Sequence, residues 1–120
     1  MKTIIFVLAF SAVLIGLDQA GAVDVTGTWV RPNDEVAQVS QRGGRLYCKI
    51  VTGKSPGFEM CHGMAKTGED TWQGNGMKHP EMPGFMTFNG TVTVQASSLT
   101  IKGCAVGQVM CDAETWKRKK

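Results

Sequence analysis

Beyond residue 22 the chain has almost no helical periodicity, which excludes helix bundles and alternating α/β layers before any motif is sought. No C-x2-C pair occurs among its four cysteines, so a structural zinc site is disfavoured. No Gly-rich phosphate loop opens a helix, because no helix follows one. No basic stripe with interleaved aromatics marks a nucleic-acid surface. The longest apolar stretch, Ile4 to Leu17 broken by Ser11 and Gly16, is shorter than the ~20 residues a membrane-spanning helix needs. Internal repeats and low-complexity tracts are lacking too.

That apolar stretch has another explanation. Lys2 precedes it and Ala20-Gly21-Ala22 follows it, the pattern of a secretory signal peptide over residues 1–22 with cleavage after Ala22. Residues 23–120 then form one domain with one modest core, exported to the periplasm or the medium. Cys48, Cys61, Cys104 and Cys111 all fall in that domain, and an even number in an exported chain predicts two disulfides. Four cysteines allow three connectivities; loop locality favours Cys104–Cys111 across the last turn, which leaves Cys48–Cys61. The formal net charge is +3, but Lys117, Arg118, Lys119 and Lys120 carry the excess and the body is near neutral. Such a tail predicts at most weak contact with an anionic membrane surface.

Turn signals recur between short alternating runs, an all-β pattern. Eight strands are expected: Thr26 to Arg31, Glu35 to Gln41, Leu46 to Val51, Phe58 to Ala65, Thr71 to Lys78, Met86 to Val94, Leu99 to Cys104 and Val109 to Arg118. Gly43-Gly44 can supply a two-residue hairpin turn. Met86, Phe88, Val92 and Val94 alternate with polar residues, and Gly90 on their apolar face suggests a bulge or bend there. With no long crossover, an antiparallel up-and-down barrel is favoured over a sandwich. Trp116 within the polar run "ETWKRKK" requires that the last strand reach almost to the terminus and bury its indole.

Three pieces, "GTW" at Gly27 to Trp29, "LTIKGC" at Leu99 to Cys104 and "ETWKR" at Glu114 to Arg118, together resemble the small exported lipocalin-like proteins of the domain of unknown function 2147 family. "LYCKIV" at Leu46 to Val51 and "WQGNGMKHPE" at Trp72 to Glu81 extend the likeness over most of residues 23–120. The resemblance implies a structural cap in which Arg118 lies across Trp29 at the closed end, with Trp116 extending the same patch. It implies a fold and a compartment, but no reaction. His79 stands where that pattern has an acid, Thr87 or Phe88 where it has a Tyr, and the segment from Val51 to Cys61 is short.

No catalytic constellation is expected. Cys61 and His62 are adjacent, so on a strand they face opposite ways, and the thiol should be oxidised. Glu59, Glu69, Asp70 and Glu81 sit near turns, where solvated carboxylates are usual. The methionines are more informative. Met77, His79 and Met82 are a candidate soft-metal set, since thioether and imidazole suit copper, although Met is equally a flexible core filler. Phe85, Met86, Phe88 and Val92 are the candidate lining of a barrel interior that takes one small apolar ligand. The expected function is therefore non-catalytic binding of a small apolar ligand by a monomer, with no cofactor and no nucleic acid. The alternatives are an envelope protein acting through its surface over a filled core, and a copper binder.

Overall fold

The computed structural model describes residues 23–105 and 110–120. The expected signal segment lies outside the described residues. Eight strands run in sequence order, β1 (Gly27–Val30), β2 (Val36–Arg42), β3 (Arg45–Ile50), β4 (Glu59–Gly68), β5 (Thr71–Met77), β6 (Phe88–Val94), β7 (Ser98–Ala105) and β8 (Met110–Arg118). Each pairs antiparallel with its neighbour, and β1 closes onto β8 with Trp29 opposite Arg118 and Val30 opposite Lys117. The protein is a closed eight-stranded up-and-down barrel, as in lipocalin-like folds.

Alternation decides which way each side chain faces. Val39, Leu46, Met64, Trp72, Val92 and Leu99 point into the barrel and are at most 2% exposed, whereas Gln38, Lys49, Gln73, Thr93 and Lys102 between them face out or lie at the surface. An apolar inside and polar outside is the reverse of a barrel that crosses a membrane. An eight-stranded barrel has room only for side chains or one small guest. Here three indoles, Trp29, Trp72 and Trp116, fill the middle and lower interior.

The two ends differ in their connections. At one end the turns are short: Gly43 and Gly44, with φ of 59° and 76°, make the tight β2–β3 turn that positive φ allows. Glu69 and Asp70 join β4 to β5, and residues 95–97 join β6 to β7. At the other end lie residues 31–35, 51–58 and 78–87, all longer connections. We call these the closed and the open end.

The two disulfides are Cys48–Cys61 and Cys104–Cys111, the connectivity that loop locality favours. Each joins directly opposed residues of neighbouring strands. Cys48 and Cys61 are buried in the core. A register shift between Cys48 and Lys49 lets Met60 and Cys61 both be buried although they are consecutive.

Two local expectations are corrected. Strand β6 begins at Phe88, not Met86, because Pro83 and Gly84 turn the chain and the Pro83 carbonyl accepts the Met86 N–H. The bend expected at Gly90 is in the partner strand: β5 shifts register between Gly74 and Met77, around Gly76 with φ of 72°. Gly90 makes room instead, since a Cβ there would lie 2.7 Å from the Met77 side chain.

Candidate functional site

The open end holds a cleft of about 200 Å³. Its apolar lining comes from Met60 of β4, Met77 of β5, Phe88 of β6, Ile101 of β7 and Met82 of the β5–β6 loop. Lys78, His79, Glu81, Asp112 and Glu114 give it a polar wall. It stops above the indoles, which pack the barrel below.

Beside the cleft sits a charged cluster that burial makes unusual. Arg31 follows Trp29 by two residues and so points inward as Trp29 does; it is 4% exposed. Glu114 precedes Trp116 by two residues and points inward for the same reason. Arg31 Nε donates to Glu114 Oε1 at 3.0 Å, and its Nη1 donates to Glu35 Oε1. The Trp116 indole N–H donates to the same Glu114 Oε1 at 2.6 Å. Burial pushes the Glu114 carboxyl up, but hydrogen bonds from Arg31 and Trp116, the Arg31 charge and His79 outweigh it and leave the group below its ordinary value. Glu35 is likewise lowered: desolvation raises it, while Asn33 and Arg31 hydrogen bonds lower it by more.

His79 joins this cluster through both ring nitrogens. The Glu81 backbone N–H donates to Nδ1 at 3.2 Å, which assigns the neutral tautomer with its proton on Nε2, 3.4 Å from Glu114 Oε2. Arg31 Nη2 lies 3.4 Å from the same nitrogen. Met77, His79 and Met82 therefore do line one cleft, but the imidazole lone pair is already used. A metal would have to displace the Glu81 N–H. Among the described residues no three of His, Cys, Asp and Glu converge as a metal site.

The proposed interior set separates. Phe88 lines the cleft and Val92 is fully buried beneath it. Phe85 is 86% exposed on the β5–β6 loop and Met86 is half-buried there, so neither lies in the barrel interior. The apolar alternation ran on past the strand end, where the Pro83–Gly84 turn breaks the face. At the closed end, the Arg118 guanidinium lies 4.2 Å from the Trp29 ring centroid. It also donates to the carbonyls of Asp24, Ala96 and Thr26 at 2.6, 3.1 and 3.3 Å. Trp116 shares the interior face, but its polar edge is turned to Glu114 and the open end rather than to the cap. Cys61 is in a disulfide and His62 faces out against Tyr47 and Glu59, so the adjacent pair is no dyad.

Arg31, Glu35, Glu114 and Ile101 were not expected from sequence at a site, and Met60 only as one of the methionines that serve as flexible core fillers. A signal existed for two of them: if Trp29 and Trp116 both face in, so do Arg31 and Glu114, and opposite charges forced into one interior predict each other. Comparison with protein-family models, curated proteins and solved structures returned no match for this chain.

Proposed function

We propose that the protein is an exported lipocalin-like carrier, akin to the domain of unknown function 2147 family, that binds a small apolar ligand without catalysis. The observation that carries this reading is the cleft at the open end, apolar at its base and walled by polar groups, the combination that suits a small-molecule site. Its volume of about 200 Å³ is below the ~300 Å³ at which drug-sized pockets begin, so the ligand is small or inserts only one end. Met60, Met77 and Met82 give an adaptable thioether lining. Two disulfides are compatible with an oxidising compartment, which supports export. Native mass spectrometry of protein isolated from its own compartment tests the reading. Retained mass that is lost in an Ile101→Trp variant, which fills the cleft, supports it; a bare polypeptide mass under gentle ionisation counts against it.

A second reading rests on the rim. Among the described residues the large exposed apolar ones, Val51, Met82, Phe85 and Met110, all belong to the open end. They fit an envelope protein whose partner covers that rim while the core stays filled. Under this reading Phe85→Ser abolishes partner capture and Ile101→Trp does not.

A further inference from the structure

Charge is distributed along the barrel axis, and pairing follows the same division. Arg42 and Arg45 flank the Gly43–Gly44 turn, Lys66 lies near the β4–β5 turn, and Lys117, Lys119 and Lys120 finish the chain around Arg118, all at the closed end and all exposed. Among the described residues none of these six forms an ion pair. The ion-pair contacts present, Arg31–Glu35, Arg31–Glu114, His79–Glu114 and His62–Glu59, belong to the open half. Of the acids at the closed end, Asp24 is engaged by Thr26 and Asp70 accepts the Val23 N–H, while Glu69 in the β4–β5 turn is exposed, so three acids stand there against the six cations and Arg118.

Two of the cations are also held in place. The Arg42 guanidinium stacks 4.0 Å from the Tyr47 ring centroid, and Lys66 Nζ lies 5.3 Å from that of Trp72. Their charged groups rest against aromatic faces while the side chains stay exposed, so less side-chain entropy remains to be lost when an anion arrives.

We infer that the closed end is an electrostatic docking face for a bilayer containing anionic lipid, which turns the open-end cleft away from the membrane. Unpaired bases arranged around a blunt end match a plane of headgroups, with each cation near the surface adding to the attraction. Nucleic acid fits less well, since no exposed aromatic stands among these bases to stack on a nucleotide. The apolar rim is the wrong end for this surface. Asp34, Glu35, Glu59, Glu81, Asp112 and Glu114 lie there against Arg31, Lys49, Lys54 and Lys78, and a like-charged bilayer repels this acidic excess.

Vesicle sedimentation tests the inference, using protein with both disulfides intact. Vesicles of phosphatidylcholine with about one-third phosphatidylglycerol should retain the protein at low salt and release it in about 0.5 M salt, whereas pure phosphatidylcholine should not retain it. Arg42→Gln, Arg45→Gln and Lys66→Gln together should weaken partition about 100-fold. Because two of those side chains pack on aromatic rings, a second triple, Lys117→Gln, Lys119→Gln and Lys120→Gln, is measured beside it and should weaken partition similarly. Equal retention by uncharged vesicles, unchanged partition of the second triple, or no retention at all would overturn the inference. So would loss of binding only on Phe85→Ser with Met82→Ser, or tighter capture by a single-stranded oligonucleotide at the same ionic strength.

Discussion

The two ends of the barrel each use an arginine, and they use it in opposite ways. Arg118 is half-buried, forms no salt bridge among the described residues and feels only the exposed Asp24 carboxylate weakly, and it spreads its donors over neutral carbonyls while its plane covers Trp29. Arg31 is almost wholly buried, and a buried cation without a counter-charge is costly, so Glu35 and Glu114 are drawn in with it. The closed end is thus sealed by geometry and the open end is held by charge. A seal of the first kind leaves no cleft. A charged cluster of the second kind needs polar surroundings, and the cleft with its Lys78, His79 and Glu81 wall grows beside it.

Breaking the Arg31 cluster should give the largest effect. Arg31→Met leaves Glu114 partly buried with only His79 and Trp116 for company, and should cost about 3–5 kcal/mol in denaturant unfolding. Adding Glu114→Gln keeps an acceptor for the Trp116 N–H, removes the stranded charge, and should recover most of that loss. If the double variant is no better than the single one, Arg31 acts through packing and not through charge.

Next come the disulfides. With sequence separations of 13 and 7, chain entropy predicts about 3 kcal/mol for Cys48–Cys61 and about 2.5 kcal/mol for Cys104–Cys111 on paired replacement by Ala. Cys48 and Cys61 are core residues, so their loss also opens a gap between β3 and β4, whereas Cys104–Cys111 tethers only the β7–β8 connection at the open end. Hydrogen exchange should accordingly rise across the barrel in the first variant and near β7–β8 in the second.

At the closed end, Arg118→Ala removes the indole contact and three charge-assisted hydrogen bonds, yet strands no buried charge. A loss of about 2 kcal/mol is expected from urea melts, smaller than for Arg31. Arg118→Lys should restore little, because an ammonium cannot lie flat on Trp29 while reaching carbonyls on three segments. Equal costs for Arg31→Met and Arg118→Ala would erase the distinction between the two ends.

This contrast also explains what could be read from sequence. The strands, the Gly43-Gly44 turn, the disulfide pairs and the Trp29–Arg118 contact follow from period-two alternation, turn chemistry, loop locality and the resemblance. All but the last are local or join strands consecutive in sequence; the Trp29–Arg118 contact spans the first and last strands and was implied only by the resemblance. The cleft is different, since Met60, Met77, Ile101 and Glu114 come from four strands and meet only once the barrel closes. Phe85 misled because hydrophobicity in a run says "inside" only while the run remains a strand, and the Pro83–Gly84 turn had already ended it. Arg31 and Glu114 carry no apolar signal of their own, yet the alternation that buries their tryptophan neighbours applies equally to them.

The smallest expected effect is the pH response, and it should start at the open end. Glu114 and Glu35 both have folded values below the ordinary 4.5 of a glutamate, so each stabilises the fold above that pH and loses its contribution as pH falls through the lowered value. Asp24 at the closed end is also lowered, chiefly by its hydrogen bonds from Thr26 and to a lesser degree by the Arg118 charge, but it is exposed and pairs mainly with a local turn. Thermal midpoints should therefore hold steady from neutral pH to about 5 and drop below about 4. Hydrogen exchange in that acid range should rise first at residues 31–35 and along β8 near Glu114, before the backbone near Arg118 responds. Protonating Glu114 weakens its grip on Arg31, whereas the carbonyls that hold Arg118 have nothing to titrate. Glu114→Gln should flatten the acid limb and lower the plateau, since the neutral amide keeps the Trp116 bond but not the charge pairing. A limb unchanged in that variant, with exchange rising first around residues 23–26, would move the acid-sensitive contact to Asp24 and reverse the order of the two ends.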